Sequence, residues 1–410
     1  MVTTRIILMF LLISSPLYGA TYYVCSNGNG AGGTDGSDWD NCMDGFDDIG
    51  TPGAGDTLYL RDDDGDYEET LTVPSSGSAD NPITYAAATG ESPVINSNNI
   101  RANGILIDGK DYITIDGIHA TKATSSNLLI DNDSDNNIIK NCIFSYSENY
   151  GMRADHFNID NLLVQSNEAY ENMGYGGFLL SSGTSLIVEY NSSHDNGDGV
   201  GDHGYYFQTS SGTIIRYNTA YNNFYNGFKF GTLSDGGDVI YNLSWGNGVA
   251  GYSFDGRPGG TSNIDNMYNN VDYNSARGMW INCDNGDGFE ITNVKNNIFS
   301  GETYGLYIFD DTGTGTVTIT NWTNNDVFAD TDYINFPGGD PTGSNGNISV
   351  DPLLTNPANA DFTLTSASPA IGAGVDVSLT LDYEGNLINN PPSIGAYAYD
   401  PLNNVRGVSF

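Results

Sequence analysis

Short runs of β-branched and aromatic residues recur through the middle of the chain, and turns rich in asparagine and glycine separate them. A period in the twenties without helical periodicity indicates a β-solenoid, and the regularly placed leucines of a leucine-rich repeat are missing. Subtracting consecutive anchor numbers gives spacings of 24 to 29 residues. One set of runs ends in an asparagine, and these anchors are Asn141, Asn167, Asn191, Asn218, Asn242, Asn270, Asn296 and Asn325.

A second set of runs follows a glycine and alternates between two faces. Because strand side chains alternate, the first and third residues after each glycine point inward, and the residue between them faces outward. The sequence therefore predicts an all-β fold, a right-handed parallel β-helix with three sheets. We call the predicted outward-facing set the outer column: Arg153, Leu179, Tyr206, Lys229, Ser253, Trp280 and Tyr307.

The recurring asparagines have a structural explanation. Stacked coils place equivalent side chains one strand spacing apart, so an inward amide can donate to one neighbouring coil and accept from the other. We therefore predict an asparagine ladder and assign these residues no chemistry.

The ends of the chain differ from its repetitive middle. Residues 1–20 have the layout of a signal peptide, an apolar segment after Arg5 that ends in small residues, and predict secretion to the extracellular space, periplasm or cell surface. Residues 21–100 are interpreted as an N-terminal cap with the first coils, 101–335 as the β-helix repeats, and 336–410 as a C-terminal capping segment. Capping is expected because open solenoid ends expose unpaired strand edges.

Charge and cysteine content narrow the choice of partners. The chain has 13 Lys and Arg against 51 Asp and Glu, a formal net charge of -38, which argues against nucleic acid as a partner. The acidity serves solubility or, in part, binding of divalent cations. In an exported chain, Cys25 and Cys42 can close a short disulfide loop, whereas Cys142 and Cys283 lie in distant repeats and are predicted to be core residues.

The outer column combines aromatic and hydrogen-bonding residues over adjacent coils, which suits an extended sugar chain lying across the strands. An ordinary outer strand face with β-favouring residues is the alternative. The predicted partner is an extracellular or cell-wall polysaccharide, with no transmembrane segment after signal removal. The candidate substrate-binding residues are Arg153, Trp280, Tyr307, Gln208, Asp255, Arg257 and Arg277.

The ends and the repeats together resemble secreted bacterial right-handed β-helix proteins. Tyr22-Tyr23-Val24 near the start and Ser368-Pro369-Ala370-Ile371-Gly372-Ala373-Gly374 in the tail are similar to segments of that group. Within the group, Asn226-Gly227-Phe228-Lys229-Phe230-Gly231 resembles the region around the catalytic lysine of family 9 polysaccharide lyases. The resemblance to the wider group of secreted β-helix proteins covers nearly the whole mature chain.

The resemblance to family 9 polysaccharide lyases implies that Lys229 is the base of a β-elimination. It also implies Ca²⁺ as a cofactor, held by aspartates on the preceding coil, where this chain has Asp195, Asp198 and Asp202. Their spacing departs from the family pattern. A cation or an arginine would stabilise the negative charge that develops when a uronate loses the proton beside its carboxylate.

Two further catalytic residues and two other functions stay open. His203 and Tyr206, one coil before Lys229, can supply an acid or a base, because histidine titrates near neutrality and tyrosine can protonate a leaving oxygen. A glycoside hydrolase is the second enzymatic hypothesis, and it would need two facing carboxyl groups. A glycan-binding adhesin would use the same outer column without catalysis.

Overall fold

The computed structural model describes residues 19–26, 35–62, 65–155, 159–231, 235–257, 260–284 and 286–399. The predicted signal peptide, residues 1–20, therefore lies outside the described residues except for its last two. Strands of three to six residues dominate, and the only helices among the described residues are the 3-10 turns Trp39–Asn41 and Pro357–Asn359. None of the helices in this part of the chain has the length and hydrophobicity to cross a bilayer.

Three families of strands repeat along the solenoid, and the described strands of successive coils pair in parallel. The first, sheet 1, follows the repeated glycines and begins with Leu71–Thr72. It continues with Asn103–Asp108, Ser126–Asp131, Tyr150–Ala154, Gly176–Thr184, the first part of His203–Arg216, Asn226–Phe230, Ala250–Asp255, Arg277–Asn282, Tyr304–Phe309 and Thr331–Ile334.

Sheet 2 precedes the asparagine anchors, and sheet 3 follows them. Sheet 2 contains Thr21–Cys25, Met43–Asp44, Thr57–Leu60, Ile83–Ala87, Ile113–Asp116, Ile138–Lys140, Leu163–Gln165, Ile187–Glu189, the end of His203–Arg216, Asp235–Ile240, Thr261–Tyr268, Gly288–Lys295 and Thr316–Thr323. Sheet 3 contains Val94–Asn96, His119–Thr121, Ile143–Ser145, Glu168–Tyr170, Ser192–His194, Thr219–Tyr221, Leu243–Trp245, Val271–Tyr273, Ile298–Ser300 and Asp326–Phe328.

The core is a stack of apolar side chains from equivalent positions in successive coils. Tyr205, Phe228 and Tyr252 follow one another in register on sheet 1, and their rings are stacked with centroids 4.9 and 5.2 Å apart. All three are fully buried. The predicted inward positions after each glycine are therefore confirmed, because the alternation of strand faces sends them to the interior.

The predicted asparagine ladder is present at the turn between sheets 2 and 3. The Nδ2 of Asn191 donates to the Oδ1 of Asn218 (3.0 Å), and the Nδ2 of Asn218 donates to the Oδ1 of Asn242 (3.0 Å). Two of the predicted anchors are wrong by one residue. Asn297, not Asn296, continues the ladder, and Cys142 rather than Asn141 occupies the ladder position in its coil.

The two anchors were misplaced because the same turn geometry repeats in every coil and accepts asparagine at two adjacent positions. The residue before each ladder position adopts a left-handed backbone, with φ of 54° at Asn141 and 58° at Asn296, and asparagine tolerates this conformation well. A sequence with asparagine at both positions therefore does not reveal which one points inward.

A second, unpredicted ladder lies at the turn between sheets 3 and 1. Asn196 donates through Nδ2 to the Oδ1 of Asn223 (3.1 Å), and Asn223 donates likewise to Asn247 (3.0 Å). The repeated glycines make room for it. A Cβ at Gly204 would lie 2.7 Å from the Asn223 Nδ2, so a larger residue would displace the ladder amide.

The two ends are closed differently. The predicted disulfide between Cys25 and Cys42 is present at the N-terminus, while Cys142 and Cys283 are free and buried as expected. At the other end, Tyr333 and Phe336 pack against Trp322 of the last coil. The tail after residue 350 forms the antiparallel pair Leu354–Asn356 and Asp361–Leu364.

The tail packs along the side of the solenoid rather than across its end. Phe362 and Ile394 share a buried cluster with Leu243, Val271 and Ile298, the first residues of three sheet 3 strands. The backbone carbonyls of the tail also accept hydrogen bonds from turn asparagines, as Gly395 does from Asn269 (2.8 Å). Of the segment predicted as a C-terminal cap, 336–410, the first part up to Ile348 lies against the last coil, and the part from residue 354 to residue 399 covers a flank.

Candidate active face on sheet 1

The outer column lies in register over seven consecutive coils. Each member pairs with the next, from Arg153 with Leu179 to Trp280 with Tyr307. The column is not uniformly exposed, however. Lys229 is 7% exposed and Ser253 is fully buried, whereas Arg153, Tyr206, Trp280 and Tyr307 are half-buried. The centre of the column therefore offers a poorly solvated amine flanked by aromatic rings.

The Lys229 amine is held by three neighbours. Its Nζ donates to Ser253 Oγ (3.1 Å) and to Asp255 Oδ1 (2.5 Å), and it lies 5.6 Å from the centroid of the Trp280 ring. Burial lowers the pKa of Lys229, and the Asp255 carboxylate opposes that shift without cancelling it. The neutral amine, which can act as a base, is thus easier to form than in water.

His203 and Tyr206 lie beside this amine, and their protonation states differ. Burial and, second, the Lys229 charge lower the pKa of His203 to about 3, so the ring is neutral at neutral pH. Burial and then the Asp255 charge raise the pKa of Tyr206, so its hydroxyl keeps its proton. The rings are in edge contact, with centroids 5.2 Å apart. Tyr206 is therefore the group that can donate a proton.

Gln208 and Gly231 set the position of the Tyr206 ring. The Gln208 amide donates to the Tyr206 hydroxyl. A Cβ at Gly231, in the following coil, would lie 3.1 Å from Tyr206 Cε2 and 3.1 Å from Gln208 Cγ. Because Gly231 has no side chain, both side chains can pack against its backbone.

Arg277 joins Trp280 and Tyr307 in an aromatic cluster. Its guanidinium carbon lies 5.3 Å from the Trp280 ring centroid, 5.0 Å from that of Tyr307 and 5.9 Å from that of Tyr304. Contacts of this length hold a cation over ring faces. Three of the predicted substrate-binding residues are thus brought together.

The other predicted substrate-binding residues lie outside the cluster of Arg277, Trp280 and Tyr307. Arg153 forms an ion pair with Asp155 (Nε to Oδ1, 2.6 Å) and lies over the Tyr150 ring, three coils before Lys229. Asp255 is the partner of Lys229. Arg257 is exposed in the turn after sheet 1, where its backbone pairs with Gly288. Its place at this corner separates it from the outer column.

The aspartates predicted as calcium ligands are not brought together. The Asp202 carboxylate accepts hydrogen bonds from the backbone N–H groups of Asp198 (2.9 Å) and Gly199 (2.7 Å), and Asp195 lies 2.7 Å from His194 Nδ1. Among the described residues, no group of three or more His, Cys, Asp or Glu side chains is arranged to hold a metal ion. This donor set does not fit the predicted calcium cluster.

Two residues of this face were missed from the sequence. Tyr304 contacts Arg277, and Tyr225 contacts both His203 (5.7 Å) and Trp280 (6.5 Å between ring centroids). Tyr304 directly precedes the repeated glycine of its coil, and Tyr225 lies two residues before it, both outside the alternating positions after the glycine. Recurrence of tyrosine one or two residues before the glycine, at residues 150, 175, 225 and 304, was the available signal.

The sequence was compared with models of known protein families and with curated protein sequences. A family model described as Pel9A-like, right-handed β-helix region, matches residues 22–285. The chain belongs to this family. The predicted right-handed β-helix and its likeness to family 9 lyases are thereby confirmed. A search of curated protein sequences found no match.

Solved structures show the same fold at low sequence identity. Pectate lyase Pel9A superposes with a TM-score of 0.62 at 16% identity, covering 93% of this chain and 96% of that one. A rhamnogalacturonan lyase gives 0.52 at 13% identity, covering 95% and 98%. The lacto-N-biosidase of family GH136 from Eubacterium ramulus gives 0.51 at 12% identity, covering 75% and 67%. At such identities the likeness concerns the fold, on which lyases and a glycosidase both occur.

Proposed function

We propose that this Pel9A-like protein is a secreted polysaccharide lyase that cleaves a uronate-containing polymer by β-elimination, with Lys229 as the base. The observation that carries the proposal is the environment of Lys229, a buried amine with a lowered pKa at the centre of the outer column. A lysine on an ordinary strand surface would be solvated and charged. Lyases on the same fold are consistent with this reaction.

The reaction removes one proton from the sugar ring and delivers one proton to the leaving oxygen. Neutral Lys229 takes the proton from the carbon beside the uronate carboxylate, and that electron pair forms a carbon–carbon double bond as the glycosidic carbon–oxygen bond breaks. The leaving oxygen takes a proton, which Tyr206, one coil away in register, can donate. Because Asp255 favours the charged amine, activity is expected to rise toward alkaline pH.

Calcium remains an expectation from the family rather than part of this reaction scheme. Asp202 already accepts two backbone hydrogen bonds, and Asp195 lies against His194. No step above is therefore assigned to a metal ion. Adding and chelating calcium in the assay below tests the expectation directly.

The test incubates the full chain with uronate and neutral polysaccharides, with and without calcium, and follows ultraviolet absorbance of the unsaturated product together with new reducing ends. Lys229→Met, which keeps the length and apolar stem, is expected to abolish the product. Lys140→Ala, which removes a half-exposed lysine paired with Asp116 on sheet 2, is the control with the same charge change.

The alternatives give different results. New reducing ends without absorbance would indicate a hydrolase, and binding without cleavage of any polymer would indicate an adhesin. Either result overturns the lyase proposal, as would an unsaturated product formed by Lys229→Met.

A further inference from the structure

We infer that Arg277 is a carboxylate-binding residue that selects an acidic sugar next to the one being cleaved. The inference rests on the proposed function for its substrate class, and it assigns to Arg277 a separate role from that of Lys229.

The three rings around Arg277 hold the guanidinium in place without using its hydrogen-bond donors. Trp280 belongs to the same strand, and Tyr304 and Tyr307 belong to the next coil, where Tyr304 is the register partner of Arg277. Cation–π contacts orient the planar group while its N–H bonds stay available. A guanidinium fixed in this way is suited to bidentate binding of a carboxylate.

Arg277 differs from the other cations of this face in having no acidic partner among the described residues. Arg153 is paired with Asp155, and Lys229 with Asp255. The Arg277 Nε is buried and has no hydrogen-bond partner in the part of the chain that the structure describes. An unpaired arginine in a chain with a net charge of -38 is left available for an anion supplied from outside.

The register separates this carboxylate from the reacting sugar. Lys229 pairs with Ser253, and Ser253 pairs with Trp280, so the strands of Lys229 and Arg277 are two spacings, about 10 Å, apart. Both cations lie near the Trp280 ring, but they extend to different partners from it. Lys229 bonds to Ser253 and Asp255, whereas Arg277 lies over the rings of Tyr304 and Tyr307 in the following coil. The carbon that loses its proton is bonded directly to its own carboxylate. Arg277 is therefore assigned to the uronate next to it, on the side of Tyr304 and Tyr307.

Calorimetric binding of a galacturonate trimer and of its methyl ester tests this assignment. We expect the wild-type chain to prefer the acid. In Arg277→Ala the affinity for the acid should fall about 10- to 100-fold, the effect of losing hydrogen bonds to a charged group, while the ester is unaffected. Arg277→Lys, which keeps the charge but loses the planar fork, should recover only part of the affinity. Lys140→Ala is the charge-matched control.

Turnover gives a second readout, because loss of ground-state binding raises KM and leaves kcat nearly unchanged. Equal losses for acid and ester, unchanged selectivity in Arg277→Ala, or no preference for the acid in the wild-type chain would overturn the assignment. A different result would refute the proposed function without refuting the role of Arg277. Acid-selective binding without an unsaturated product would refute the lyase and leave the Arg277 site standing.

Discussion

Asp255→Asn provides a direct test of how the outer column controls Lys229. The substitution keeps the size and shape of the side chain and removes one negative charge that lies 2.5 Å from the Lys229 Nζ. In the native chain, burial lowers the pKa of Lys229 while this carboxylate raises it. Removing the carboxylate leaves burial unopposed, so the pKa of Lys229 should fall further.

The size of the shift follows from the geometry. The Lys229 side chain is 9% exposed and that of Asp255 is 32% exposed, so the pair is screened by water from one side only. Coulomb attraction at this distance is about 1.7 kcal/mol even with the full dielectric constant of water, which corresponds to about 1.2 pKa units. Incomplete screening makes the interaction larger. We therefore expect the pKa of Lys229 to fall by at least about one unit.

Two measurements report this shift. In the lyase assay, the rising limb of kcat/KM against pH should move to lower pH by about one unit. Independently of activity, labelling of Lys229 by an amine-selective reagent at fixed pH, followed by peptide mass spectrometry, should accelerate about tenfold. Asp116→Asn, which breaks the surface pair with Lys140 (3.2 Å), is the control and should change neither. An unchanged limb and labelling rate, or a shift to higher pH, would refute the reasoning.

Three further outcomes are expected. Tyr206→Phe, which removes only the hydroxyl, should lower kcat about 10- to 1000-fold if that group protonates the leaving oxygen, and an unchanged kcat would exclude the role. Asn218→Ala should lower the free energy of unfolding in urea by about 3–5 kcal/mol, because five hydrogen bonds of the ladder amide are lost, whereas exposed Asn321→Ala should cost less than about 0.5 kcal/mol. Burial raises the pKa of Asp272 to about 7 and that of its neighbour Glu302 well above its usual value, so the folded state binds protons that the unfolded state releases. Stability should therefore fall as pH rises above about 4, and Asp272→Asn, which removes one of the two groups, should reduce this fall in thermal unfolding.

The fold was largely predictable because the residues of each coil of a solenoid determine which of its side chains are buried. Each coil repeats the same problem of burying one face, so the alternation after each glycine identified the inward residues without knowledge of distant contacts. The ladder was predicted for the same reason, since equivalent asparagines in successive coils must meet. The anchors Asn141 and Asn296 were misplaced because neighbouring asparagines suit both the left-handed turn position and the inward position.

For the site, the sequence predicted only the order in which its residues follow one another along the solenoid axis. Register placed Tyr206, Lys229 and Trp280 on one face, and this followed from the repeat. The sequence did not reveal that Lys229 is buried against Asp255, or that Arg277 has no acidic partner among the residues with described positions. Both depend on the direction that long side chains take between coils. The predicted calcium ligands failed to meet for a related reason, since the loop uses Asp202 to satisfy its own backbone.

The sequence by itself thus determined the periodic properties of this protein: the parallel coils, the inward stacks, the amide ladder and the face that carries the candidate chemistry. Only the tertiary structure decided the non-periodic ones, namely the pKa shifts at Lys229 and His203, the ring cluster around Arg277 and the packing of the tail along a flank. The physical reason is that backbone hydrogen bonding repeats with the coil, whereas side-chain rotamers, burial and charge pairing depend on neighbours that differ from one coil to the next.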